Sequence, residues 1–449
     1  TTICDEETFT VSPVNAGATR VPAGTTYTWT VVDNPNVSGE SAEATAQTNI
    51  SQALTNSSNI PQNVVYTVTP TAGTCAGAPF TVTVTVNPNP EIPDLTDTIC
   101  SDSPFTVSPS NGGGVIVPTG TTYTWTVIDN PNITGESDQA SAQANISQTL
   151  VNLTEVPQTV EYTVTPRSGA AGNCVGDTFT VSVTVNPSPQ IEAQTETICS
   201  GETFAVSPTN GGSTIVPTGT VYTWTVANNA NVTGESTQTT AQPSISQTLT
   251  NTSNTPQTVT YTVTPQSGAA GTCAGDAFTV TVTVNPTPSL SSTLTPAEIC
   301  SGGTFTYTPT SDVSGATFSW TRAELTGISN AAISTPQASN PNEVLVNTTS
   351  NPIDVVYTYT IEANGCSNTQ EVTVRVNPTP TLSSDLTTAE ICGNSTFTYT
   401  PTSDVSGATF TWTRAAVTGI SNPAITVPQS SNPNETLVNT TDSAIDVVY

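Results

Sequence analysis

PFTVTVTVNPNP, residues 79–90, decides the fold. Phe80, Val82, Val84 and Val86 alternate with Thr81, Thr83 and Thr85, the two-residue period of a strand with one buried face. Threonine suits the wet face, being β-branched without being greasy. Pro88 and Pro90 then end the strand, because proline has no N–H to give to a sheet. The stretch returns as TFTVSVTVNPSP at 178–189 and AFTVTVTVNPTP at 277–288. Its Asn-Pro-x-Pro break recurs a fourth time at Pro378 and Pro380.

Working outward, tryptophan is the simplest ruler. Trp29, Trp125, Trp224, Trp320 and Trp412 are spaced by 96, 99, 96 and 92 residues. The first three sit in YTWTV, the last two in TFSWTR and TFTWTR. A cysteine stands 25 residues before each of the first three (Cys4, Cys100, Cys199) and 20 before the last two (Cys300, Cys392). Such self-similarity marks a tandem array of five units, three long and two short. Inside a unit, Tyr27, Trp29 and Val31 share one face, as do Val64, Tyr66 and Val68, or Val355, Tyr357, Tyr359 and Ile361. No stretch has a helical period. The expected fold is all-β: Ig-like β-sandwiches in an extended rod, each with its Trp (29, 125, 224, 320, 412) in the core. The paired prolines stiffen the linkers and place unit limits at 1–90, 91–189, 190–288, 289–380 and 381–449.

Composition removes whole classes of function. Five Arg against 34 acidic residues give a net charge of −29, and the 449 residues include no Lys, His or Met. Without histidine there is no Ser-His-Asp relay and no imidazole metal ligand. Without lysine there is no Schiff base and no P-loop lysine. The negative charge repels nucleic acid and anionic lipid. No apolar run approaches the ~20 residues needed to cross a bilayer. With neither an initiating Met nor a signal peptide, the chain reads as a mature or internal fragment.

The nine cysteines offer no close C-x-x-C pair for a metal. One opens each unit and another precedes its last strand. The expectation is one disulfide per unit: Cys4–Cys75, Cys100–Cys174, Cys199–Cys273 and Cys300–Cys366. Each would stabilise its unit by about 4 kcal/mol through loop closure, in an oxidising, extracellular setting. Cys392 is left over. The 92-residue offset puts its partner beyond Tyr449, so the parent protein is expected to continue.

Catalytic chemistry finds no foothold. The many Ser and Thr have no base beside them, and the acids are scattered, so no enzyme and no catalytic residue is expected. The acidic turns NVSGES (36–41), NITGES (132–137) and NVTGES (231–236) offer Glu40, Glu136 and Glu235 as ligands, against the plainer reading of a glycine turn followed by a solvated acid. Glu91, Asp94, Asp97 and Asp102 flank the first junction and form a second calcium candidate, against ordinary surface charge. No other cofactor is expected.

Ile198-Cys199-Ser200-Gly201, Tyr222-Thr223-Trp224, the VTYTVTP of 259–265 and the VTVTVNP of 280–286 together resemble the PKD-like repeats of very large surface adhesins of gliding Bacteroidota. The resemblance spans essentially the whole chain. It implies type IX export, display as filaments at the outer membrane, and O-glycosylation at Asp97-Thr98-Ile99 and Asp442-Ser443-Ala444. It supplies no catalytic residues. Partners would be other repeats of the chain, and an external surface, a polysaccharide or the gliding and secretion machinery, through regions outside this segment. The alternatives are a subunit of an extracellular fibre or sheath, and a spacer array in a polysaccharide-degrading enzyme. Near-identical units favour a spacer, which needs only length.

Overall fold

A computed structural model describes every residue except 170, 171, 269 and 270. Its regular elements are all strands among the described residues. Unit one shows the plan. It has β1 (Thr2–Cys4), β2 (Thr8–Val11), β3 (Thr25–Val31), β4 (Val37–Ser38), β5 (Glu43–Gln47), β6 (Ile50–Ala53), β7 (Thr55–Asn56), β8 (Gln62–Ala72), β9 (Cys75–Ala76) and β10 (Phe80–Asn87). One layer is a sheet ordered β1-β10-β8-β3-β5, with β9 folded back on β8; the other is made of the short pairs β2–β6 and β4–β7. All these pairs are antiparallel except β1–β10, which is parallel and sets Cys4 opposite Asn87.

The order repeats downstream. Leu95–Cys100 lies on Phe179–Asn186, Gln194–Cys199 on Phe278–Asn285, and Ile299–Cys300 on Cys366–Asn377, always in parallel. The sandwich therefore forms in the first four units.

The period-two faces meet between the layers. Trp29, Tyr66, Val68 and Val84 from the large sheet pack on Phe9, Ile50 and Leu54 from the small one. Burying each such side chain contributes about 1.5–3 kcal/mol. Trp29, Trp125, Trp224 and Trp320 are buried, and each indole N–H donates to a serine carbonyl (Ser41, Ser137, Ser236, Ser339) at 2.7–3.1 Å. Trp412 keeps that bond, to Ser431, but is only half-buried. In unit four Trp320 lies opposite Tyr359 of Ile353–Ala363.

Candidate functional site: the joints between units

The disulfide expectation is corrected by the structure. None of the four intradomain bridges forms. The bonds are Cys4–Cys174, Cys100–Cys273 and Cys199–Cys366, with Cα atoms 5.6, 5.6 and 5.7 Å apart. Each joins the opening strand of one unit to the hairpin of the next. The strand register explains why. Cys4 lies opposite Asn87, at the far end of β10, whereas Cys75 precedes Phe80 at its near end. Seven steps of about 3.3 Å separate the two ends, while a disulfide needs Cα atoms within about 7 Å. The same parallel register, Cys100 opposite Asn186 and Cys199 opposite Asn285, forbids the second and third pairings. For the fourth, Cys300 lies opposite Asn377 and Cys366 starts that same strand. Cys75, Cys300 and Cys392 are free and exposed.

Around each bridge the linker is built into the joint. Asn87, Asn186 and Asn285, which open the Asn-Pro-x-Pro break, are buried, as are Pro88, Pro90, Pro187, Pro189, Pro286 and Pro288. The middle residue of the break is tied to its own unit: Asn89 Nδ2 donates to Asp5 O at 3.2 Å, and Ser188 and Thr287 hydroxyls to Ser101 O and Ser200 O at 3.4 Å. The last proline's carbonyl faces the next unit's hairpin, two residues past its bonded cysteine. A Cβ on Gly176 would overlap Pro90 O, and one on Gly275 would overlap Pro189 O. In the third joint Asn368 Nδ2 donates to Pro288 O at 3.0 Å, and Asn285 Nδ2 to Asn364 O at 2.8 Å. Asn210 Nδ2 also bonds Glu155 across the second joint. Immediately past the linker, Glu91, Gln190 and Leu290 form bridges to Ile116, Ile215 and Ser311 of the following unit.

The acidic candidates serve backbone, each separately. Glu91 contributes its main chain to the bridge with Ile116. Asp94 Oδ1 accepts from Thr180 N at 2.7 Å, and Asp97 Oδ1 from Thr98 N at 2.8 Å. Asp102 takes a left-handed φ of 62° and donates its N–H to Leu150 O. The four are not brought together, and no group of three acidic or cysteine side chains fit for a metal occurs among the described residues. Glu40, Glu136 and Glu235 latch their own turns, accepting from Asn34, Asn130 and Asn229 N–H at 3.1–3.2 Å. The glycine before each has a φ of 92–99° and lies so close to the neighbouring strand that a Cβ would overlap a carbonyl oxygen.

Two charged residues escaped the sequence reading. Arg322 is buried and paired with Glu343 at 3.0 Å; Arg414 is buried and paired with Glu435 at 2.8 Å. Their signal was the Arg that follows Trp-Thr on the core-facing side of TFSWTR and TFTWTR, where the long units have Val31, Val127 and Val226.

The repeated sandwich and its joints define a tandem modular array. The PKD-like domain model matches residues 1–90, 97–189, 196–288, 297–380 and 389–449, and the chain belongs to the PKD-like domain family. Tandem PKD-like and Ig-like repeats are typically extracellular structural or adhesion domains, which fits a non-catalytic stalk or adhesion-type array. No protein of curated function matches the chain in sequence. Among solved structures it is similar to the ectodomain of human desmocollin-1, at 12% identity over 99% of this chain and 93% of that one, with a TM-score of 0.24. It is also similar to immunoglobulin domains 1–4 of Sidekick-1, at 8% identity over 84% and 96%, with a TM-score of 0.20. Extracellular cadherin domains 1–4 of protocadherin gamma B7 give 11% identity over 76% and 91%, with a TM-score of 0.22.

Proposed function

We propose that the chain is a non-catalytic stalk segment of a large secreted cell-surface adhesin, displayed outside the outer membrane and serving surface attachment and gliding motility. The observation that carries the reading is the doubly tied joint. A short proline linker and a disulfide cross from unit to unit side by side, and two tethers oppose the swivelling that one would allow. Such a joint transmits bending and torsion, which is what a stalk has to do. Every disulfide and hydrogen bond between units runs between neighbours among the described residues, which supports an extended rod. We take the unit limits at 1–90, 91–189, 190–288, 289–380 and 381–449, supported by the bridges of Glu91, Gln190 and Leu290 just past each linker. The adhesive region lies outside this segment, since a spacer needs only length.

Small-angle scattering at physiological salt tests the reading. Sandwiches of about 40 Å each predict a largest dimension on the order of 200 Å. A compact particle with distant units in contact would defeat it.

A further inference from the structure

Cys75 is free and exposed, yet its surroundings copy those of a bonded cysteine. It pairs with Ala72 in a hairpin turned by Gly73 and Thr74, as Cys366 pairs with Ala363 in one turned by Asn364 and Gly365; Cys366 is bonded to Cys199. Two residues on, Gly77 N donates to Pro70 O at 2.8 Å, as Gly176 N does to Pro166 O and Gly275 N to Pro265 O, at 3.1 and 3.0 Å. In those two units the free side of the glycine is filled by the preceding linker's carbonyl, Pro90 O or Pro189 O. At Gly77 the nearest atoms to a Cβ are those of Pro70 in its own unit. The cysteine, the hairpin and the glycine seat of a closed joint are thus all formed at the head of unit one.

The complementary half is equally standardised. Each bonded opening cysteine lies in parallel register with the Asn of an Asn-Pro-x-Pro linker. We propose that the hairpin end of unit one is a docking face for another PKD-like unit of this kind, whose opening-strand cysteine forms a disulfide with Cys75. The bond is made by thiol–disulfide exchange. One thiolate attacks a small-molecule or protein disulfide and releases one of its thiols. The second thiolate then displaces the other, so the oxidant leaves as two thiols while the S–S bond forms. The docking unit's linker carbonyl takes the seat beside Gly77, and its Asn caps the hairpin as Asn285 caps Asn364.

The register sets the test, because Thr1 stands where Glu196 stands two units later. A copy of residues 97–195 is placed directly before Thr1 of the full chain, and the protein is equilibrated in a glutathione redox buffer and alkylated. Non-reducing peptide mapping should find the added copy's Cys100 joined to Cys75, with Cys4–Cys174, Cys100–Cys273 and Cys199–Cys366 intact. The same cross-link should be lost when equilibration is done in denaturing urea. Cys75 still fully alkylated in the native extended chain, or bonded to any other cysteine, overturns the proposal. Should that copy not fold, as judged by the emission of its added tryptophan, a copy of residues 1–96 in the same place decides the matter by the same readout at Cys75.

Discussion

At the residue scale, one core tyrosine is satisfied in two ways. In the long units Tyr66 OH donates to Gln52 Oε1 at 2.9 Å, and Gln52 Nε2 passes its own hydrogens to Ser41. In unit four Tyr357 OH donates to Glu343 Oε2 at 2.7 Å, and Arg322 supplies the charge and donors that the carboxylate needs. Burial pushes both phenols well above their usual range, so each stays a donor. Removing Arg322 alone leaves the largely buried Glu343 carboxylate without its counter-charge, and Arg322→Met should destabilise unit four by about 3–5 kcal/mol in a urea titration. The double change Arg322→Val with Glu343→Gln, copying Val31 and Gln52, should recover most of that loss. Acid should act in opposite senses at the two ends of the chain. Burial raises the Glu435 carboxyl, but the hydrogen bonds from Arg414 and Tyr449 and the charge of Arg414 together outweigh it and hold it below its usual 4.5. Its stabilising effect is therefore full above pH 4.5 and is lost as pH falls through the folded value. Asp5 is raised above 3.8, chiefly by burial, so its contribution to unit one declines as pH rises from 3.8 through the folded value. Asp5→Ser, copying Ser101 and Ser200, should flatten that dependence, and single-tryptophan emission followed from pH 3 to 7 would check both ends.

At the scale of elements, the decisive pairing is β1 with β10. The alternation in PFTVTVTVNP identified β10 and the core face correctly, because burial on one side writes a two-residue period into the sequence. It could not say which way β1 would run beside it. A parallel β1 puts Cys4 at the exit of the unit, whereas pairing by position in the repeat puts it near Cys75. Equal spacing cannot separate a bond within a unit from a bond to the next, since the offset is the same for every copy. The buried Arg322 was hidden for a different reason: composition marks arginine as a surface residue until its partner Glu343 is seen in the facing layer of the sandwich. Because each core closes without a bridge, reduction should leave tryptophan emission and unit stability nearly unchanged. Cys174→Ser should likewise spare both units while broadening the distance between spin labels placed on units one and two; an unfolded unit two would contradict this.

For the whole molecule, the bridges overlap along the chain in a way that matters under tension. A folded unit two hangs between Asn87 of unit one and the linker into unit three. If it unravels, the load need not travel its full contour. Only the 13 residues from Asn87 to Cys100 separate unit one from Cys273 of unit three. Stretched out, they span about 45 Å, against roughly 350 Å for the unbridged path from 87 to 190. A folded sandwich already occupies about 40 Å. Single-molecule pulling of the oxidised chain should therefore show almost no long extension steps from unit two, and reduction should release steps on the order of 300 Å. Long steps in the oxidised chain would rule this out. A filament tied in this way can lose the structure of one link and keep its reach, because its slack is capped by chemistry rather than by the stability of any single fold.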